Sequence, residues 1–567
     1  TSKGYWVRRV NKVLRFDNGY ERLKAVAEKR RDEGDFTGAV SAYRSALEKA
    51  PFDYSANAAL AELYTDADLC TEAVNCWFRA LSVAEDKYEE ARAYNGIAAN
   101  YYFLGKDVFS VHYFGKQLAL DNDGDYEYND VIEDLQDIAV ENENGQYFVV
   151  YDKNKDDDGE EKIKRSRAFV EEGKFNEALV LLADINEKSP HYLRSLEIIS
   201  FVLFLQGKYE TATDIADHIL YLDPENFRAK YVICSSLFSG GETEKSEVFF
   251  RELYSLPDDE FDEERCLHMI MLSLDTRHER ESLRFIDRIL EETPYNLNVL
   301  YVRGLVRYNL GDVEKCRADL KKVLTFTENA VVREKLSVAG KSASERPDRL
   351  EYEFDLKESE VKYRVEELNR RFNTMREAGT ISFEDIREHL DCIVKCKFDE
   401  LFSVGMQMGL AVDAKRTHEY LKELFLDVTV ADEIKRAAIK EYLLIGVNMP
   451  IKCVTAHIYK EFTLAHLKTE GYAAELFNEA YAAVASVLYL MAEDKIPVLR
   501  RKIKKLKDIY EYNGGPVNAG HKALAAAIFH IIGLFAVSAK SVVCGLFYVE
   551  EKELEQALVY LAPKERS

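Results

Sequence analysis

The sequence predicts an all-α protein, and three observations predict it: proline is scarce, helix-favouring residues are abundant, and glycine and proline recur at a fixed interval. With 10 prolines in 567 residues, most helix interiors escape the roughly 3 kcal/mol that proline costs there. Hydrophobic residues at 47% place the chain among globular sequences. Its length exceeds one core at about 100–200 residues per domain, so several units or a repeat array are expected.

The interval is read directly. Gly173 and Gly207 stand 34 residues apart, as do Pro190 and Pro224, and Gly241 follows at the same step. "EEGKFNEALVLLADINEKSP" aligns with "LQGKYETATDIADHILYLDP" without a gap. The pattern extends forward to Gly34, Phe36, Ala39, Tyr43, Ala46 and Pro51, and back to Gly311, Cys316 and Leu320. This resembles the tetratricopeptide repeat, a unit of two antiparallel helices. The resemblance covers Tyr20 to Thr327, about eight units beginning near Tyr20, Tyr54, Ala91, Asp158, Leu193, Phe227, Glu263 and Leu297. It implies a right-handed superhelix, an α-solenoid, followed by a carboxyl-terminal helical domain. Two units drift, with Ser246 and Ser282 at the small-residue position and Arg277 where the turn glycine should stand.

In such a superhelix the first helices line a concave face that is the usual binding surface. By the family's register the expected groove residues are Arg92, Asn95, Tyr102, Arg194, Phe201, Arg228, Tyr231, Tyr301 and Tyr308. Arginine and tyrosine are the residues of binding hot spots. The carboxylate clamp of chaperone-binding members does not fit: Lys24 is followed by Glu28, the second unit offers Ala59, and the third has Arg92 and then Gly96. The expected function is a non-catalytic scaffold that holds a peptide or protein segment in the groove, with no cofactor.

The stretch 121–161 interrupts the repeats with sixteen acidic residues against two lysines, and blocks of like charge are usually solvated. Within it, Asn154, Asp156, Asp158 and Gly159 imitate the start of a calcium loop. The twelfth position is Arg165 rather than the required Glu, so no metal is expected. The expected organisation is therefore repeats over 1–120, an acidic insertion over 121–161, repeats over 162–328, a linker over 329–350 and a helical domain over 351–567.

Beyond Glu351 the period is lost while helical patterning continues, including expected helices at 451–468 and 519–537. Leu421–Val447 resembles a HEAT-type helix pair, and Val537–Leu561 resembles the helix-turn-helix outline of cyclin-box proteins. The second helix of that outline carries Glu550, Glu551, Glu553 and Glu555 against Lys552, which repels DNA. His389, Cys392 and Cys396 share one helix face, but one helix supplies at most three zinc ligands, so they are read as core.

A net charge of −24 argues against a general polyanion binder. One segment opposes it: in "IPVLRRKIKKLKDIY" an apolar stripe of Leu499, Ile503, Leu506 and Tyr510 leaves Arg500, Arg501, Lys502, Lys504, Lys505 and Lys507 on the other faces. The alternative function is thus a regulator that contacts nucleic acid through this basic helix. Nine irregularly spaced cysteines read as free thiols of a cytoplasmic protein. The amino end shows no apolar signal region, and Ala523–Val537 is too short for a membrane span. No phosphate-binding glycine loop, zinc-protease motif or nucleophile elbow is present, so no catalysis is expected.

Overall fold

Short turns between antiparallel helices set the architecture of the computed structural model, which describes residues 19–120, 139–141, 147–149, 158–171, 173–516, 520–533 and 540–563. In chain order the first helices are α1 (Tyr20–Asp32), α2 (Phe36–Leu47), α3 (Tyr54–Asp66), α4 (Cys70–Leu81), α5 (Lys87–Phe103) and α6 (Asp107–Leu120). A small antiparallel ladder follows, β1 (Ala139–Glu141) with β2 (Tyr147–Val149). Next come α7 (Asp158–Glu171), α8 (Phe175–Leu182), α9 (Tyr192–Leu205), α10 (Tyr209–Leu222), α11 (Phe227–Ser239), α12 (Thr243–Tyr254), α13 (Glu263–Asp275), α14 (Glu279–Glu292), α15 (Leu297–Asn309), α16 (Val313–Phe326) and α17 (Ala330–Gly340). The last part holds α18 (Glu358–Glu377), α19 (Phe383–Lys395), α20 (Asp399–Leu426), α21 (Asp432–Ile445), the hairpin β3 (Pro450–Thr455) and β4 (Ile458–Thr463), α22 (Ala474–Met491), α23 (Ile496–Tyr512), α24 (His521–Ile532), α25 (Lys540–Phe547) and α26 (Glu551–Leu561). Contacts divide the chain into two units: 1–66 with 70–132 and 353–567, and 67–69 with 133–352.

In the unit of 67–69 and 133–352, the first helices of successive pairs begin at Asp158, Tyr192, Phe227, Glu263 and Leu297. Asn226, Asp262 and Asn296 cap three of them, each side chain accepting the backbone N–H three residues on. The turns inside the pairs use left-handed backbone at Gly173, Gly207, Gly241 and Gly311. Arg277 adopts the same conformation at φ 65°, so the turn survives without its glycine. Ser246 and Ser282 are fully buried at the small-residue position. Each hydroxyl donates to a helix carbonyl, Cys234 O at 2.9 Å and Glu279 O at 2.7 Å, so neither is left unsatisfied.

The segment 329–350, expected as a linker, instead contains α17, whose start is capped by Asn329. Its end also belongs to the packed unit: Leu350 is buried and its backbone is bonded to Asn309. The aliphatic run Ala330–Val332 supplies the apolar face that the polar composition of 340–349 obscured.

In the other unit, three helix pairs (α1 to α6) share a core with residues 353–567. Gly96 lets α5 lie against Trp77 of α4, where an added Cβ would stand 2.2 Å from the indole. The expected helix over 451–468 is a two-stranded hairpin. β-Branched and aromatic residues are frequent there, with Ile451 opposite Phe462 and Val454 opposite Tyr459. The two-residue turn Ala456–His457 has φ of 46° and 64°, the positive pair that matches hairpin twist.

The hairpin is seated on the amino-terminal pairs. Tyr113 Oη donates to His457 O at 2.8 Å and accepts from Tyr459 N at 2.9 Å. Lys106 Nζ, which can only donate, lies 3.0 Å from His457 Nε2, which leaves Nδ1–H to face Tyr101 Oη at 3.1 Å. Asn75 donates to Asp427 Oδ1 and accepts from Val428 N, both at 2.9 Å. Behind the hairpin, α22 is buried on nearly every side and Leu524–Phe529 of α24 is core. No described helix is long and apolar enough to cross a membrane.

Candidate functional site

The first helices α7, α9, α11, α13 and α15 succeed one another, and positions i, i+3, i+4 and i+7 on each point the same way. On α9 that face carries Arg194, Glu197 and Phe201; on α11, Arg228 and Tyr231; on α13, Glu264, Leu267, His268 and Met271. Side-chain contacts connect the three. Arg228 reaches back to Glu197 at 2.9 Å and forward to Glu264. The Phe201 and Tyr231 rings lie 6.4 Å apart, and the Tyr231 and His268 rings 5.1 Å apart.

Charge on this face is unevenly compensated. Arg228 shares two carboxylates, whereas Arg167 on α7 and Arg194 on α9 are half-buried and have no ion pair among the described residues. Burial first, then the positive charges of Arg194 and Arg228, draw the Arg167 guanidinium below its usual range. Leu267 is 39% and Met271 50% exposed beside them. Sequence reading missed Arg167, Leu267 and Met271. A helical wheel would have separated Leu267 and Met271 from the buried Cys266 and Ile270 one residue away.

Three of the expected groove tyrosines are interior. Tyr231 is wedged between neighbouring first helices, and Tyr301 and Tyr308 are each 4% exposed. Tyr308 is covered by the chain itself, its hydroxyl donating to Pro347 O at 2.7 Å. Next to it, Asn309 Nδ2 donates to Leu350 O at 3.0 Å while its Oδ1 accepts from Leu350 N at 2.8 Å. Arg349 completes the contact through an ion pair with Glu279. The carboxyl-terminal end of α15 therefore already holds a piece of the chain's own polypeptide.

In the other unit, Arg92 is exposed, paired with Glu62 and 6.0 Å from the centre of the Trp77 ring. Asn95 donates to Gln117 Oε1 at 3.1 Å, and Tyr102 is half-buried against Phe103. On α23, Arg500, Arg501, Lys502, Lys504 and Lys505 are exposed. Lys507, expected among them, is buried instead because it turns to Glu511 at 2.8 Å. Arg501, Lys504 and Lys505 have no ion pair among the described residues.

Among the described residues no group of His, Cys, Asp and Glu could hold a metal ion. The calcium-like Asn154 and Asp156 lie outside them, and Arg165 is a helix residue 3.9 Å from Glu161. His389 Nδ1 is 2.6 Å from Asp385 O of its own helix, and Cys392 is buried. All nine cysteines are free.

The step near 34 residues, the left-handed turn residues and the buried small residues resemble those of the tetratricopeptide unit. No family model matches the chain. Among curated proteins it is similar to an "FK506-binding protein-like" protein of Mus musculus, 43% identical over 60 residues, 10% of this chain and 17% of the relative. The Rattus norvegicus counterpart is 37% identical over 89 residues, 15% of this chain and 26% of that protein. The chain thus matches about a quarter or less of these relatives' length. Among solved structures it is similar to a tetratricopeptide repeat protein from Parabacteroides merdae, at 16% identity over 57% of this chain and 99% of the other, TM-score 0.24. The APC/C hetero-tetramer Cut9-Hcn1 is matched at 13% identity over 90% of this chain and 96% of the other, TM-score 0.25.

Proposed function

We propose that this chain is a non-catalytic interaction scaffold whose repeats hold an extended segment of a partner protein along the inner face of α7, α9, α11 and α13. The observation that carries this reading is the paired hydrogen bonding of Asn309 to both backbone groups of Leu350. One amide side chain that satisfies an N–H and a C=O of the same residue recognises polypeptide backbone, and Asn309 Nδ2 also donates to Tyr352 Oη at 3.0 Å. The helix that does this, α15, belongs to the same succession of first helices as α9 and α11, which bear Arg194, Phe201 and Arg228.

The test is capture from a native lysate with the full chain and with a variant carrying Arg194→Glu and Phe201→Glu, both half-buried positions. We expect one captured protein to be lost from the variant while helical content is unchanged. Equal capture by both would sink the groove reading.

A second reading, nucleic-acid contact through α23, is favoured by one observation: Arg501, Lys504 and Lys505 stand uncompensated on a chain of charge −24. Phosphate contacts of this kind weaken steeply with salt. Expected under that reading is a gel shift of single- or double-stranded probes at low salt that disappears when the three are changed to Glu. Identical mobility of the two proteins removes it.

A further inference from the structure

Two arginines in one half-buried patch repel each other, and each is stabilised by a carboxylate brought to it. Arg228 shows what such a carboxylate does here, since Glu197 and Glu264 fix its guanidinium from both sides. Arg167 and Arg194 face the same patch with no such partner among the described residues. The surrounding chain carries 101 acidic residues against 77 basic ones, so two uncompensated arginines together are not what its average composition would place there. The adjoining surface is apolar, with Phe201 half-buried and Leu267 and Met271 exposed at helical spacing.

We infer that the stretch of the inner face spanning α7, α9, α11 and α13 takes an acidic segment of a partner protein that also bears apolar side chains. Its carboxylates bind Arg167 and Arg194, and its apolar residues cover Phe201, Leu267 and Met271. This rests on the groove reading above and adds the chemistry of the occupant. Charge complementarity points to that occupant, on repeats whose next first helix, α15, is already bonded to the chain's own Pro347 and Leu350. Arg167 and Arg194 supply orientation through paired N–H donors, and the apolar strip supplies burial.

The test uses the full chain in two measurements. Selection from an unbiased peptide library on immobilised protein is expected to enrich sequences with Asp or Glu next to Leu, Ile or Phe. A fluorescent peptide of alternating Glu-Asp pairs and Leu-Phe pairs is then titrated. Binding is expected to weaken about tenfold or more in Arg167→Glu with Arg194→Glu and to weaken in Met271→Glu. The change Arg501→Glu with Lys504→Glu should leave it unaltered. Retention of part of the affinity by Arg194→Lys separates loss of charge from loss of fold.

Enriched peptides that are neutral or basic, yet compete at Phe201, would overturn the acidic chemistry and leave the groove reading standing. Peptides insensitive to every groove change would overturn both. A probe that binds only after 142–157 is replaced by a Gly-Ser stretch would assign the patch to the chain's own acidic segment and overturn the external partner.

Discussion

Replacing Asp319 by Ala should lower the stability of the 133–352 unit by about 3 kcal/mol. The Asp319 side chain is 5% exposed on α16 and holds two cations from α15. Arg303 reaches it through Nη2 at 2.8 Å and Nε at 3.2 Å, and Arg307 through Nη1 at 2.7 Å. Removing one partner from a buried ion network costs about 3–5 kcal/mol, because the remaining charge has lost its solvent and its counter-ion. The lower end applies here, since the arginine side chains are 18% and 22% exposed and water can reach part of each. Arg303 also keeps Asp287 at 3.2 Å, whereas no other ion pair of Arg307 is known among the described residues.

The measurement is amide exchange of α15 and α16 in the full chain, which reads this unit separately where a single global transition need not exist. Protection there should fall in Asp319→Ala and stay within about 0.5 kcal/mol of wild type in Asp287→Ala, whose carboxylate is solvent-facing. The triple change Asp319→Leu, Arg303→Met and Arg307→Met should recover much of the loss, because a buried ion network replaced by apolar groups of similar volume is often neutral. Unchanged protection in Asp319→Ala would mean that the two guanidiniums find other acceptors.

The repeat was legible because the residues that define it do local work. A turn glycine, a small residue at a helix contact and a capping Asn or Asp each act within a few positions, so they recur at the step of the unit. Arg277 shows the limit of that logic: the neighbouring helices hold the left-handed turn after its glycine is gone. What covers a residue is not local. Register put Tyr308 among the groove residues, but the Pro347 carbonyl that its hydroxyl meets comes from 39 residues away.

The same distinction explains the second unit. Asn75 meets Asp427 across 352 residues, and Tyr101 meets His457 across 356. No periodicity relates such pairs, so the sharing of a core by the first helices and the carboxyl-terminal half could not be read from spacing. The hairpin was missed for a related reason. Its strands are half-buried and short, and a stretch such as Ile451 to Thr463 fits period 2 and period 3.6 nearly equally until the positive-φ turn at Ala456 and His457 is seen. The acidic stretch was legible as composition, and the uncompensated arginines were not, because a missing partner is a property of the folded surface.

Acidification from pH 7 towards 4 should destabilise the unit built from 1–66, 70–132 and 353–567, with His521 as the largest single contributor. Burial pushes the His521 imidazole down to about 4, and the ammonium groups of Lys440 and Lys522 push in the same direction. Glu400 opposes this and is outweighed, and Glu479, 3.2 Å from Nδ1, is 39% exposed. A histidine whose pKa is depressed on folding binds its proton more readily in the unfolded chain. Stability is therefore highest above the unfolded value of 6.5 and is lost as the pH falls from there to about 4. The full shift corresponds to roughly 3 kcal/mol, and partial exposure of the imidazole reduces it to about 2 kcal/mol. His112, His418 and His457 are lowered by burial in the same unit and add to the slope. For His457 the charge of Lys106 at 3.0 Å from Nε2 adds to the burial, with Tyr101 and Phe109 packed against the ring. Urea titrations at pH 7.5, 6 and 5, read by exchange of α22 and α24 amides, should show the midpoint falling with pH. His521→Gln should flatten that fall, because glutamine keeps a donor and an acceptor near Glu479 and Lys440 but takes up no proton. A slope identical to wild type in His521→Gln would place the acid sensitivity elsewhere, and the same titration of a His457→Gln chain would then decide whether the hairpin seat carries it.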